Sequence, residues 1–212
     1  ESMNEAMRCF TSMLDTGSIS TELKYIHKDG SIRWWTLDAV KISENRFLGF
    51  SIDITSKKQA EEELKYQSRH DYLTGLYNRR FYETELKRLD TESQLPLSVM
   101  TGDINGLKLI NDAFGHAEGD RLIIESAKII EGCCRPGYIV ARIGGDEFGI
   151  IMPKTDSDTA LEVLLNIQTA LNNYNSENGN KMYQHSVSLG FATKEKMEEQ
   201  ISSILKTAEE YM

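Results

Sequence analysis

Acidic side chains follow two apolar runs in the second half of the chain. Asp103 lies near the end of the run Leu97–Ile104, and Asp146 and Glu147 follow two glycines at the predicted tip of a hairpin. If the two strands are neighbours, the three carboxylates come to one point, where they repel one another unless a cation lies between them. Mg²⁺ binds one or two carboxylates and completes its coordination with water and substrate phosphates. The pattern therefore indicates either a phosphoryl-transfer site or the solvated tip of an ordinary hairpin.

Composition narrows the class of protein. The formal net charge of -9 over 212 residues argues against a nucleic-acid partner, because non-specific affinity for DNA comes from Lys and Arg. Three cysteines, Cys9, Cys133 and Cys134, are an odd count without Cys-x-x-Cys spacing, which fits a reducing compartment and predicts a cytoplasmic location. No apolar run approaches the roughly 18 residues needed to span a bilayer. Attachment to a membrane would therefore need an anchor upstream of this sequence.

The secondary structure that the sequence predicts changes twice along the chain. Residues 1–55 are β-rich, 56–69 form a charged connecting helix, and 70–212 alternate between helix and strand. The pair Asp29-Gly30 between two β-rich runs predicts a hairpin. The predicted strands cover 21–27, 32–42, 47–54, 97–104, 138–143, 148–152 and 183–192, and the predicted helices cover 4–14, 56–69, 78–89, 107–114, 120–133, 156–174 and 201–212. This order predicts an α/β fold with helices packed against a sheet.

Four segments carry a wider pattern. They are His-Asp-Tyr-Leu-Thr-Gly-Leu-Tyr-Asn-Arg-Arg at 70–80, Asp-Ile-Asn-Gly-Leu-Lys at 103–108, Asn-Asp-Ala-Phe-Gly-His-Ala-Glu-Gly-Asp at 111–120 and Ala-Arg-Ile-Gly-Gly-Asp-Glu-Phe at 141–148. In this order and spacing they closely resemble the GGDEF family of diguanylate cyclases. The resemblance implies a palm-like mixed sheet with flanking helices, similar to nucleotide cyclases. It also implies that two GTP molecules condense to cyclic di-GMP, with release of pyrophosphate, in the presence of Mg²⁺ or Mn²⁺.

The resemblance implies roles for individual acidic residues. Asp103, the backbone carbonyl of Ile104 and Asp146 match the family's metal positions. Asp146 also matches the group that takes the proton from the GTP 3′-hydroxyl. Glu147 matches a further acidic group beside the metals and is counted with the catalytic residues.

Other residues match the nucleotide side of the family's site. Lys108 matches the lysine that neutralises phosphate charge, and Asn111 and Asp120 match the pair that reads guanine, whose O6 and N7 are acceptors. His116 matches a third nucleotide-side position, and Gly145 is included among the substrate-binding residues. Each has a simpler alternative: Asp120 could cap a helix, and Asn111, Lys108 and His116 could be solvated surface residues.

Three departures from the family pattern affect the expected behaviour. Asn105 and Leu107 stand where many members have Asp and Phe, and this form is similar to GGDEF domains fused to a downstream phosphodiesterase domain. Tyr138 replaces the Asp of the family's product-inhibition motif, three residues after Arg135, so feedback inhibition is not expected. The sequence also stops at Met212, before the position of a phosphate-binding Lys.

The first part of the chain has its own resemblance. Residues 28–34 and 49–55 are similar to the second half of a PAS domain, and 58–61 to the helix that leaves it. The combined expectation is a cyclase controlled by an N-terminal sensor and active as a homodimer. The alternatives are a GTP-binding regulatory module that controls a neighbouring domain, such as a cyclic di-GMP phosphodiesterase, and a scaffold without nucleotide affinity.

Overall fold

A computed structural model describes residues 8, 11–12, 14–44, 46–177 and 183–212. The chain forms two compact units, Glu1–Tyr66 and Gln67–Met212. The strands are β1 (Ser18–Ile26), β2 (Ile32–Ser43), β3 (Arg46–Asp53), β4 (Tyr77–Asn78), β5 (Leu97–Ile104), β6 (Ile139–Arg142), β7 (Glu147–Met152) and β8 (Val187–Lys194). The helices are α1 (Thr55–Arg69), α2 (Arg79–Leu89), α3 (Leu107–Phe114), α4 (His116–Gly132), α5 (Ser157–Glu177) and α6 (Ile201–Glu210), with a short 3₁₀ helix at Glu92–Gln94.

The first unit contains a three-stranded antiparallel sheet in the order β1-β2-β3. The predicted hairpin between β1 and β2 is confirmed. Gly30 takes the positive φ of +83° that the turn needs, and the backbone N–H of Ser31 donates to Asp29 Oδ1 at 2.8 Å. Most of the helix predicted over 4–14 lies outside the described residues, as does Cys9.

The second unit is built on a five-stranded sheet in the order β4-β6-β7-β5-β8. β4 and β6 are parallel and the other pairs are antiparallel, so the predicted mixed sheet is confirmed. Along β5, Met100 and Ile104 belong to the apolar core formed with α3, α4 and α5, whereas Leu97 and Val99 belong to the core formed with α2 and α6. Because helices cover both faces, β5 is buried along most of its length.

The two largest boundary errors, of four residues each, have identifiable reasons. α4 begins at His116 instead of residue 120, because Gly115, with φ +87°, is all that separates it from α3. β8 begins at Val187 instead of residue 183, because its partner strand β5 ends opposite it at Ile104. The sequence also gave no indication of β4, which at two residues is too short to show a periodic pattern.

The polar groups at the start of β5 are buried and paired. The fully buried hydroxyl of Ser98 bonds to the carbonyl of Thr155 at 2.8 Å and lies 2.7 Å from Thr193 Oγ1. Lys194 is only 1% exposed, and its ammonium group forms an ion pair with Asp90 at the end of α2. This end of the sheet therefore meets the usual requirement that buried polar groups find partners. None of the helices in the described ranges is long and apolar enough to cross a membrane.

Candidate active site

Backbone pairing brings the predicted acidic residues to one edge of the sheet. Asp103 lies opposite Glu147 in the β5–β7 ladder. One residue further, the backbone N–H of Ile104 donates to the backbone oxygen of Asp146 at 3.0 Å. The strand that carries Asp103 and the hairpin that carries Asp146 are therefore neighbours, as the sequence predicts.

The carboxylates of Asp103, Asp146 and Glu147, here called the acidic edge, repel one another. Partial burial, together with the charges of Asp146 and Glu147, raises the pKa of Asp103. The carboxylates of Asp103 and Asp146 form no hydrogen bond or ion pair with any residue that the structure describes. Within the same residues, no three His, Cys, Asp or Glu side chains form a group that could hold a metal ion. The charges of Asp146 and Glu147 nevertheless act on Asp103, and the meeting of the three carboxylates at one metal site stays a prediction.

The two glycines of the hairpin explain where Glu147 goes. A Cβ placed on Gly144 would stand 2.3 Å from Glu147 Oε2, so the missing side chain leaves room for this carboxylate to fold back over the turn. A Cβ on Gly145 would meet nothing within 4 Å. A Gly-Gly pair at a hairpin tip predicts positive φ angles, but neither glycine has one, so this prediction is wrong. Gly145 is exposed and faces open space beside the acidic edge.

A side-chain clamp holds the hairpin tip. The Arg142 guanidinium donates to the carbonyl of Gly145 at 2.7 Å and to Asp71 Oδ1 at 3.2 Å. Asp71 also accepts hydrogen bonds from the backbone and hydroxyl of Thr74. Burial alone would raise the pKa of Asp71, but the bonds from Thr74 and Arg142 outweigh it and hold the pKa below its ordinary value. Sequence reasoning assigned no role to this pair, because its members are 71 positions apart.

The second group of predicted residues lies where α3 meets α4. Asn111 is half-buried on α3, and a Cβ on Gly119 of α4 would stand 2.0 Å from its Oδ1 atom. The neighbour of Gly119 is Asp120, so the proposed base-reading residues lie at one helix contact. Asp120 is the fifth residue of α4, which excludes the alternative that it caps the helix. His116 is the exposed first residue of α4.

The loop between β5 and α3 carries the predicted phosphate-side residue. Lys108 is exposed in the first turn of α3, after Gly106, which has a φ of +76°. Asn105 fixes this loop to β8: its amide nitrogen donates to Ser186 Oγ at 3.0 Å, and its amide oxygen accepts from Ser188 Oγ at 3.0 Å. Asn105, which stands where many family members have Asp, therefore uses both the donor and the acceptor of its amide.

Tyr138, the residue that replaces the product-inhibition Asp, is held by the protein itself. It is half-buried, packs against the core, and its hydroxyl accepts a hydrogen bond from Thr155 Oγ1 at 3.1 Å. Arg135 is exposed and lies 4.0 Å from a carboxylate oxygen of Glu162. The absence of feedback inhibition stays a prediction.

Comparison with known proteins gives a consistent family assignment. The family model described as diguanylate cyclase, GGDEF domain, matches residues 68–212. The diguanylate cyclase DgcM of Escherichia coli O157:H7 is 36% identical over 159 residues, which cover 70% of this chain and 38% of that protein. The cyclic di-GMP phosphodiesterase PdeB of Shewanella oneidensis is 34% identical over 142 residues, covering 66% of this chain and 16% of that protein. The chain thus spans 38% or less of the length of these two curated relatives.

Solved structures agree with this assignment. The coiled coil and GGDEF domain of DgcB from Caulobacter crescentus, in complex with c-di-GMP, matches with a TM-score of 0.65 and 25% identity over 74% of this chain and 85% of that one. SiaD of Pseudomonas aeruginosa, solved with its activator SiaC, matches with a TM-score of 0.62 and 27% identity over 74% of this chain and 61% of that one. The chain belongs to the GGDEF family of diguanylate cyclase domains.

Proposed function

We propose that this protein is an active diguanylate cyclase, which condenses two GTP molecules to cyclic di-GMP and releases pyrophosphate. The observation that carries the proposal is the pair of aspartates, Asp103 and Asp146, on neighbouring backbone segments without a protein partner among the described residues. Carboxylates that are held close together repel one another and cost stability, and such groups are typical of sites that bind a ligand.

The donor chemistry of this edge fits Mg²⁺ or Mn²⁺. The raised pKa of Asp103, caused by burial and by the charges of Asp146 and Glu147, shows a negative field that a divalent cation would neutralise. Asp103, Asp146 and the Ile104 carbonyl offer oxygen donors only, which suits a hard cation that completes its coordination with water and phosphates. When bound, the cation would screen the carboxylates from the triphosphate and polarise the phosphate oxygens.

The remaining steps belong to side chains of this chain. Asn111 and Asp120 hold guanine, through its acceptor edge and its N1 and N2 hydrogens respectively. Gly145 leaves room for the nucleotide beside the hairpin. Lys108 balances the charge of the phosphates as the bond to pyrophosphate breaks. Asp146 accepts the proton of the 3′-hydroxyl, whose oxygen attacks the α-phosphorus of the other GTP.

The reaction joins two nucleotides, so we propose that two copies of the chain meet as a two-fold dimer with one GTP each. In this proposal residues 1–55 are part of a PAS-like sensor, and the helix between the units transmits its state. We also propose a cytoplasmic location, which the use of GTP and the odd number of cysteines without Cys-x-x-Cys spacing support. The site residues, the sensor and the dimer are testable separately.

The test is product formation. The purified protein is incubated with Mg²⁺ and GTP at high protein concentration, and cyclic di-GMP is measured by mass spectrometry. We expect product that depends on both Mg²⁺ and protein concentration. Absence of product, both in this chain and in a form extended at both ends, would overturn the cyclase proposal.

A second candidate is a GTP-binding regulatory module. It is favoured by the similarity to PdeB. A region of that protein matches this chain at 34% identity, and the protein is named a phosphodiesterase and not a cyclase. This candidate predicts GTP binding without turnover. The same experiment, combined with a GTP-binding measurement, separates the two candidates.

A further inference from the structure

Gly119 occupies an unusual position for a glycine. It is the fourth residue of α4, is buried, and does not have a positive φ, so its backbone conformation is open to any residue. Glycine is a poorer helix former than alanine, so a glycine at such a place calls for a packing or functional reason.

The reason is the side chain of Asn111. An alanine Cβ at residue 119 would lie 2.0 Å from Asn111 Oδ1 and 2.9 Å from Asn111 Cγ. It would lie 3.2 Å from Leu107 Cδ1, a gap that a small movement accommodates. The group that must move is therefore the terminal amide of Asn111, the end that would face a base.

The packing of Asn111 against Gly119 also decides which end of the Asn111 amide can face a ligand. Of the Asn111 amide atoms, Oδ1 and the carbon that bears it stand closest to the Gly119 position. This leaves the Nδ2 donor as the end free to turn toward a ligand. A donor suits the O6 and N7 acceptors of guanine, whereas adenine presents an amino donor in place of O6.

We infer that Gly119 is a specificity-determining positioning residue: because it has no side chain, the Asn111 amide has room to take the orientation that prefers guanine over adenine. This inference rests on the proposed function, because it takes Asn111 as a base-reading residue. It adds that the selectivity of the site depends on a residue that contacts no nucleotide itself.

The test compares two glycine-to-alanine substitutions in the same helix. Gly119→Ala should weaken GTP binding about tenfold, the value of one good base contact, and should reduce the preference for GTP over ATP by a similar factor. Its melting temperature should not fall, because alanine favours the helix. Gly132→Ala, at the last position of α4 with nothing within 4 Å of the added Cβ, is the matched control and should leave binding unchanged.

Two further measurements separate positioning from general damage. The preference for GTP over ITP depends on the N2 amino group, which Asp120 reads, so it should survive in Gly119→Ala. In a double-mutant cycle, Asn111→Ala should cost little more once Gly119→Ala is present, because both act through one contact.

The possible outcomes distinguish a failure of the proposed function from a failure of the inference about Gly119. Failure of the unmodified protein to bind GTP would defeat the proposed function. Unchanged GTP-over-ATP preference in Gly119→Ala, or additive effects in the cycle, would overturn this inference while leaving the cyclase proposal intact.

Discussion

Polar side chains are paired with protein groups near one end of the interior strand β5 and are unpaired near the other end. At its start, the buried Lys194 is paired with Asp90 and the buried Ser98 hydroxyl has two partners. At its end, Asp103 and Asp146 are adjacent, and neither carboxylate has a hydrogen-bond or ion-pair partner in the described part of the chain.

This difference separates a structural end of β5 from the end that carries the proposed active site. Paired polar groups at the start of β5 contribute to one defined fold, and removing a partner leaves a buried charge. At the other end the unpaired carboxylates repel one another, and under the proposed function a bound cation would offset this repulsion. The comparison therefore predicts that substitutions at one end change stability and that substitutions at the other change activity.

The largest effect is expected at the acidic edge. Asp103→Asn should lower cyclic di-GMP formation on the order of 10³-fold, because the amide keeps the shape of the side chain but loses the charge that holds the cation. Its melting temperature should stay equal or rise, since one of the repelling charges is gone. Mass spectrometry and thermal denaturation measure the two effects.

Asp112→Asn is the matched control, because Asp112 is an exposed aspartate on α3 with no assigned role. It should leave product formation unchanged. Equal losses in both variants would break the comparison.

At the paired end the effect should fall on stability. Lys194→Ala should lower the free energy of unfolding by about 3 kcal/mol, the lower part of the range for breaking a buried ion pair, because Asp90 stays partly exposed. Chemical denaturation measures this loss, and activity per folded molecule should be retained. Lys206→Ala, which removes an exposed pair with Glu210, should have little effect on stability.

A smaller effect is expected at Tyr82, on the α2–α6 face of the sheet. Its ring packs over Gly149, and its buried hydroxyl has no partner in the described structure. Tyr82→Phe should therefore raise the free energy of unfolding by about 1 kcal/mol. A loss of stability on denaturation would mean that the hydroxyl is satisfied by ordered water.

The smallest effect concerns the pH dependence of stability. Burial lowers the pKa of His185 and outweighs the opposing charge of Glu125, 3.3 Å from the ring. The ring also faces Ser126, Tyr174 and Tyr183. Because the unfolded state then binds the proton more tightly, stability should fall as the pH drops below about 6.5.

Thermal denaturation of the unmodified protein and of His185→Gln at pH 7.5 and 5.5 tests this expectation. The substitution should reduce the difference between the two melting temperatures. An unchanged difference would assign the pH dependence to other groups.

Much of the fold could be predicted from local patterns. β5 and α3 have the predicted bounds, because an apolar run followed by Asn105-Gly106 and a helical period mark their ends clearly. The start of α4 could not be predicted, because Gly115 and Gly119 both weaken the helical signal. Gly119 lies inside the helix and leaves room for the side chain of Asn111, a contact between helices that no local pattern contains.

The site shows the same limit. The strand ends that carry Asp103 and Asp146 follow from the apolar runs, and their adjacency follows from pairing the strands. The orientation of Glu147 over Gly144 depends on side-chain packing, and the Arg142–Asp71 clamp joins distant parts of the chain. Such long-range geometry leaves no periodic trace in the sequence.

The most direct test of the central claim is Mn²⁺ binding, measured by electron paramagnetic resonance in the presence of a non-hydrolysable GTP analogue. We expect bound Mn²⁺ in the unmodified protein and in Asp112→Asn, and its loss in Asp103→Asn and Asp146→Asn. Equal Mn²⁺ binding in all four proteins would show that the unpaired aspartates do not hold the cation, and would contradict this account.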